Sequence, residues 1–69
     1  MKENKLLKAA LMHFKAEKTK GEANLEVYLK NPAGIGEHPD IVNEIVNLTK
    51  VIAEADECIK ILKTIQEKK

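Results

Sequence analysis

The sequence lacks several residue types, and each shortage argues against a class of protein. It has no serine, so a serine nucleophile is excluded. It also has no arginine, the side chain that most often forms bidentate hydrogen bonds with phosphate and guanine. Its single cysteine, Cys58, cannot form a disulfide within the chain and suits a reducing compartment. The formal net charge of +1 further argues against nucleic acid as a partner.

Long apolar runs are also missing. No stretch approaches the ~20 apolar residues of a membrane-spanning helix, and the N-terminus lacks the apolar core of a signal peptide. We therefore expect a cytoplasmic protein without membrane contact. Because Phe14 and Tyr28 are the only aromatic residues, any core must come from aliphatic side chains, which is typical of helical assemblies.

The apolar residues that are present follow a helical rhythm in both halves of the chain. In the second half, spacings of four and three connect Ile41, Ile45, Leu48, Ile52, Ala55, Ile59 and Leu62. In the first half, the same spacings connect Leu7, Leu11, Phe14, Lys18, Gly21, Leu25 and Tyr28. Each series forms one stripe along a helix, and we call the two stripes together the seam.

The two stripes of the seam match when the chain folds back on itself. Pairing Phe14 with Ala55, and Gly21 with Leu48, places a large side chain opposite a small one, and the residue numbers of successive pairs keep a nearly constant sum. An antiparallel pair in register requires such a sum. The sequence therefore predicts one all-α hairpin domain over residues 1–69, with helices at about 4–30 and 39–66 and a loop at 31–39.

Lys18 interrupts the seam in the first helix. Its aliphatic stem can lie on Ile52 while its ammonium group reaches Glu22, Asp56 or water. We therefore interpret Lys18 as a lysine that extends out of the helix contact, not as a buried functional amine.

The predicted loop, residues 31–39, reads N-P-A-G-I-G-E-H-P. Its proline and glycine residues end the first helix. Either His38, followed by Pro39 as the first helical residue, or Asp40 caps the second helix. Glu37, His38 and Asp40 lack a recognised metal-ligand spacing, so capping and favourable contact with the helix dipole are their predicted roles.

The same loop offers an alternative function. Gly34 and Gly36 free the backbone, and the start of the second helix has unpaired N–H groups of the kind that hold phosphate, although Glu37 and Asp40 would repel an anion. In this alternative, an oligomer sequesters a small anionic molecule such as a nucleotide. The candidate ligand or partner residues of the loop are Asn31, Gly34, Ile35, Gly36, Glu37, His38 and Asp40.

Both helices carry more apolar surface than one partner helix can cover. The first has a second stripe of mostly small residues nearly opposite the seam, although alanine is also a good former of exposed helix. The second has apolar residues on both flanks of the seam. We therefore predict a homo-oligomer, most simply a two-fold dimer forming a four-helix bundle, with trimers or larger rings as the alternatives. The predicted interface residues are Ala9, Met12, Ala16, Ala23, Val27, Val42, Val46, Val51, Ala53, Cys58, Ile61 and Ile65.

The reactive side chains do not form a recognisable catalytic site. Glu54 and Glu57 disfavour a thiolate at Cys58, which we interpret as a small buried side chain. Pairing of Cys58 with His13 would require contact across the helices, which the sequence does not establish. We expect neither catalysis nor a metal or cofactor.

The leading hypothesis is a non-enzymatic accessory protein that binds a protein partner.

The segment around the predicted loop has a distinctive sequence motif. Asn24 to Val42 reads N-L-E-V-Y-L-K-N-P-A-G-I-G-E-H-P-D-I-V. It resembles small proteins of tailed phages, especially marine ones, in which a long helix ending in L-E-V-Y-L precedes N-P-x-G-I-G-E-H-P-D and a second charged helix. The flanking helices match only in character. The resemblance implies a phage origin and a location in the host cytoplasm, and it implies no activity.

Overall fold

A computed structural model of the chain describes residues 4–31 and 40–68, which form two helices. Helix α1 spans Lys5–Lys30 and helix α2 spans Ile41–Glu67. The helices pack against each other in antiparallel orientation, which confirms the predicted all-α hairpin. Helix α1 begins one residue later than predicted. Helix α2 begins two residues later and ends one residue later.

Each helix begins at a side-chain cap. The Oδ1 atom of Asn4 accepts a hydrogen bond from the backbone N–H of Leu7 at 3.1 Å. The Oδ1 atom of Asp40 accepts one from the backbone N–H of Asn43 at 2.8 Å. Each cap satisfies a donor that the first turn of a helix leaves unpaired. Of the two caps predicted for α2, the structure therefore shows Asp40.

The core of the hairpin is the predicted seam, and it is thin. Leu11, Ala55 and Ile59 are its buried apolar residues within the described part of the chain, and Gly21 is buried among them. The other seam residues are partly buried. A single line of contact between two helices explains this distribution, because each helix has only one neighbour to cover it.

The contact at Gly21 differs from the predicted pairing. A β-carbon built on Gly21 would stand 2.9 Å from Cγ1 of Ile52 and 3.8 Å from Cγ1 of Val51. Gly21 therefore packs against Ile52, whereas the constant sum paired it with Leu48. The physical reason is that a side chain enters the space between residues one turn apart on the facing helix, so Gly21 lies against Ile52 while it also lines a groove with Leu48, one turn earlier on α2.

Candidate interaction surfaces

The two helices meet along two edges of the seam, and these edges differ in chemistry. The first, which we call the charged edge, includes Lys15, Lys18, Glu22, Asp56, Lys60 and Lys63. The second, which we call the apolar edge, includes His13, Glu17, Val51, Glu54 and Cys58. Four lysines line the charged edge, whereas the groove of the apolar edge has two carboxylates as its formally charged groups.

An ion pair organises the charged edge. The Nζ atom of Lys18 lies 2.9 Å from Oδ1 of Asp56, and the Nζ atom of Lys60 lies 3.5 Å from Oδ2 of the same carboxylate. This arrangement shows which of the partners predicted for Lys18 is used. The side chains of Lys18 and Asp56 are 34% and 39% exposed, so both charges remain in contact with water.

The ion pair shifts the pKa of both partners. The hydrogen bond from Lys18, together with the positive charge of its ammonium group, lowers the pKa of Asp56, and Lys60 contributes in the same direction. The hydrogen bond to Asp56 and the negative charge of that carboxylate raise the pKa of Lys18. Both shifts favour the charged forms, so the pair stabilises the contact between α1 and α2 at neutral pH.

The apolar edge extends along α2 beyond its groove. Val51, Cys58 and Ile65 are seven residues apart, about two helical turns, so they lie on the same side of α2. Ile61 follows Cys58 by about one turn and lies beside them. Val51, Ile61 and Ile65 are all exposed in the hairpin, and Cys58 is a partly buried free thiol. Cys58 is thus less buried than the sequence suggested.

Two exposed leucines were missing from the predicted interface. Leu6 precedes His13 by seven residues, so it lies on the side of α1 that faces the apolar edge. Leu29 lines a surface groove near the end of α1. Both leucines are adjacent in sequence to seam residues, and the four-three spacing that defines the seam does not include them. The seven-residue spacing to His13 was the signal that could have identified Leu6.

The second stripe of α1 lies open on the surface. Ala9, Ala16 and Ala23 are exposed, as are the larger Met12 and Val27. Small side chains at this spacing allow another helix to approach closely. The structure thus places these predicted interface residues where a further helix could contact them.

The other flank of α2 is also uncovered. Val42 is 72% exposed, and Val46 and Ala53 are exposed as well. Val42 and Val46 lie nearer the start of α2 than Val51, the first residue of the apolar edge on that helix, and Ala53 lies level with that edge. Apolar surface is therefore divided among three regions of the hairpin.

Little of the predicted loop site lies within the described residues. The backbone N–H of Asn31 donates to the carbonyl of Val27 at 2.9 Å, as a continuation of α1. The carboxylate of Asp40 accepts the N–H of Asn43, so one donor that an anion would use is occupied and the position is negatively charged. This geometry does not favour the anion-binding alternative. The remaining loop candidates, Gly34, Ile35, Gly36, Glu37 and His38, lie outside the described residues.

Metal-binding clusters and membrane-spanning segments are both absent from residues 4–31 and 40–68. No group of three His, Cys, Asp or Glu side chains there is arranged to hold a metal ion. Neither α1 nor α2 contains a segment long and apolar enough to cross a membrane.

Comparison with known proteins gives no relative. The chain matches no protein-family model, no curated protein and no solved structure. The resemblance of the loop segment to phage proteins therefore stays a prediction.

Proposed function

We propose that the protein is a non-enzymatic accessory protein that self-associates, most simply as a dimer of hairpins, and binds a protein partner through the surfaces left free. One observation carries this proposal. Among the described residues, three apolar side chains are buried whereas nine large ones are exposed. Three of the exposed residues, Val51, Ile61 and Ile65, lie together on one side of α2, and a contiguous exposed apolar patch usually marks an interaction site.

The shape of the chain supports the same proposal. The hairpin measures 51 × 15 × 15 Å, with a radius of gyration of 15.7 Å. A compact domain of this length has a radius of gyration of about 11 Å. The elongated form exposes both long faces of the hairpin, and a second hairpin packed alongside would give the thicker cross-section of a four-helix bundle.

A phage origin and a cytoplasmic location belong to this proposal. The loop segment from Asn24 to Val42 supports the first by its resemblance to tailed-phage proteins. The free thiol of Cys58 is compatible with the second, because unpaired cysteines are stable in reducing compartments.

Molar mass in solution tests the self-association. We expect light scattering at micromolar concentration to give at least twice the chain mass of 7.7 kDa. The midpoint of thermal unfolding should also rise with protein concentration, because association stabilises the folded state by mass action. A well-folded particle of 7.7 kDa, with a midpoint independent of concentration, would refute the proposal.

Partner binding needs a separate test. Affinity capture from infected cells would compare the wild-type chain with two variants, one carrying Glu37→Ala and His38→Ala and one carrying Met12→Lys. We expect a partner that binds through the loop to be lost with the first variant, and one that binds the second stripe of α1 to be lost with the second. A protein retained equally by all three would show that neither surface recognises it.

A further inference from the structure

We propose that the second copy of the chain packs on the apolar edge, with the two α2 helices antiparallel and Cys58 facing the partner's Cys58 at the two-fold axis. This inference rests on the self-association proposed above and names the surface that performs it.

The first argument is a second apolar series on α2. Beside the seam, spacings of three and four connect Val51, Glu54, Cys58, Ile61 and Ile65. A series with this rhythm is what one helix buries along another. Its three aliphatic members are between 39% and 52% exposed in the hairpin, so helix α1 leaves them largely uncovered.

The second argument is the contrast between the two edges. The charged edge holds four lysines, and its Asp56 already has two cationic partners. Covering that edge would remove water from these charges, which costs more than exposed ion pairs return. The groove of the apolar edge carries Glu17 and Glu54 as its charged groups. Contact there therefore removes water from fewer charged side chains than contact at the charged edge would.

The third argument is area. The chain exposes 5460 Å², whereas a folded monomer of 7.7 kDa exposes about 4,300 Å². The excess of about 1,100 Å² is close to the ~800 Å² that each partner contributes to a standard interface. A second copy on one face is therefore sufficient to bring the exposed surface into the normal range.

The position of Glu54 selects the antiparallel arrangement. In a parallel pair of α2 helices, Glu54 would face the partner's Glu54, and two carboxylates in one layer repel each other. In an antiparallel pair centred on Cys58, the midpoint of the series, Val51 faces the partner's Ile65. Glu54 then lies level with the partner's Leu62, about 12 Å along the axis from the other carboxylate.

The same arrangement brings the two thiols within bonding distance. Helix axes pack about 8–10 Å apart, and α-carbons lie about 2.3 Å from each axis, so facing α-carbons are about 3–6 Å apart. A disulfide requires α-carbons about 4.4–6.8 Å apart. Cys58 therefore serves as a reporter of the interface.

Oxidative cross-linking tests the arrangement. With copper phenanthroline as the oxidant, we expect the wild-type chain to form a Cys58–Cys58 disulfide dimer on a non-reducing gel. In the Cys58→Ala background, Val51→Cys and Ile65→Cys should each stay monomeric on the gel alone and cross-link when mixed. Cross-linking of Val51→Cys with itself, without cross-linking in the mixture, would overturn the antiparallel assignment.

A matched pair of variants tests the choice of face. We expect Ile61→Glu to raise the dimer dissociation constant roughly 100-fold or more, because it places an unpaired carboxylate in each half of the contact. Val42→Glu, on the other flank of α2, should leave the dissociation constant within about twofold of wild type. Circular dichroism at high concentration checks that both variants remain helical.

The outcomes separate this inference from the proposed function. A wild-type mass of 7.7 kDa would overturn both. An oligomeric wild type that shows no Cys58 cross-link, and whose mass Ile61→Glu leaves unchanged, would overturn the assignment to the apolar edge alone.

Discussion

Gly21 lies directly against Ile52, and a β-carbon built on Gly21 would stand 2.9 Å from Cγ1 of Ile52. A glycine inside a helix destabilises it by about 1 kcal/mol relative to alanine. Its position in α1 is therefore explained by the contact, because the missing side chain is what allows Ile52 to pack there. A feature that weakens α1 locally improves the fit between α1 and α2.

The first prediction concerns the substitution Gly21→Ala. The added methyl group should raise helix propensity by about 1 kcal/mol but force Ile52 to move, which costs about 1–3 kcal/mol in a packed contact. We expect a net loss of stability, measured by urea unfolding followed by circular dichroism. In the Ile52→Ala background the clash is removed, so the same substitution should become stabilising.

The matched control for this prediction is Ala23→Gly, two residues along α1 at an exposed position. It should cost about 1 kcal/mol, the propensity difference alone. If Gly21→Ala instead stabilised the wild-type chain by the same amount that Ala23→Gly destabilises it, the close packing of Gly21 on Ile52 would be disproved.

This contact also shows how far the sequence could predict the fold. The four-three spacing identified the seam, and the nearly constant sum of the paired residue numbers indicated the antiparallel orientation, since both follow from helical periodicity. The closest neighbour of Gly21 is Ile52, one turn beyond the predicted Leu48, which lines a groove beside it. Periodicity specifies which side of a helix is buried, but the depth to which side chains interdigitate depends on volumes and on helix crossing, which a one-dimensional pattern does not contain.

The second prediction concerns pH and the Lys18–Asp56 pair. Because the folded-state pKa of Asp56 is lowered, the stabilisation is complete above the ordinary value of about 3.9 and is lost as the pH falls through the lower folded-state value. Because the pKa of Lys18 is raised, stabilisation is complete below its ordinary value of about 10.4 and is lost as the pH rises through the higher one. Asp56→Asn should therefore lower the thermal unfolding midpoint at pH 7, and the difference from wild type should shrink at acidic pH.

The control for the ion pair is Glu26→Gln. Glu26 pairs with Lys30 at 2.8 Å within α1, but these side chains are 61% and 74% exposed. Exposed pairs of this kind contribute little, so Glu26→Gln should leave the midpoint nearly unchanged at every pH. A midpoint difference for Asp56→Asn that persists undiminished at pH 2 would show that the effect is not electrostatic.

The third prediction concerns the Asp40 cap. Replacing Asp40 by alanine should reduce stability by about 1 kcal/mol, because the N–H of Asn43 loses its side-chain acceptor. Asparagine at the same position keeps an acceptor oxygen and should retain most of the stability. Equal losses for Asp40→Ala and Asp40→Asn in urea unfolding would argue that charge, not capping, is the contribution of this residue.

The candidate surfaces were less predictable than the fold. The sequence identified three apolar surfaces, the second stripe of α1 and the two flanks of the seam on α2. It did not show which of them is the best contact surface, because that depends on the charges that line each edge. The Lys18–Asp56 contact and the cluster of lysines around it distinguish the charged edge from the apolar edge. That distinction arises from the way α1 and α2 pack together, which brings side chains of both helices onto one surface.

The last prediction compares two isoleucines that are close in sequence and different in environment. Ile59 is 7% exposed in the seam and Ile61 is 52% exposed on the apolar edge. Ile59→Val should cost about 0.5–1.5 kcal/mol through the loss of one buried methyl group, at any protein concentration. Within a lone hairpin, Ile61→Val should cost less than about 0.5 kcal/mol.

If the apolar edge is buried in a dimer, the cost of Ile61→Val should approach that of Ile59→Val at concentrations where the dimer forms, and should decline on dilution. Urea unfolding at two protein concentrations measures both costs, and a small, concentration-independent cost for Ile61→Val would show that this edge stays in water.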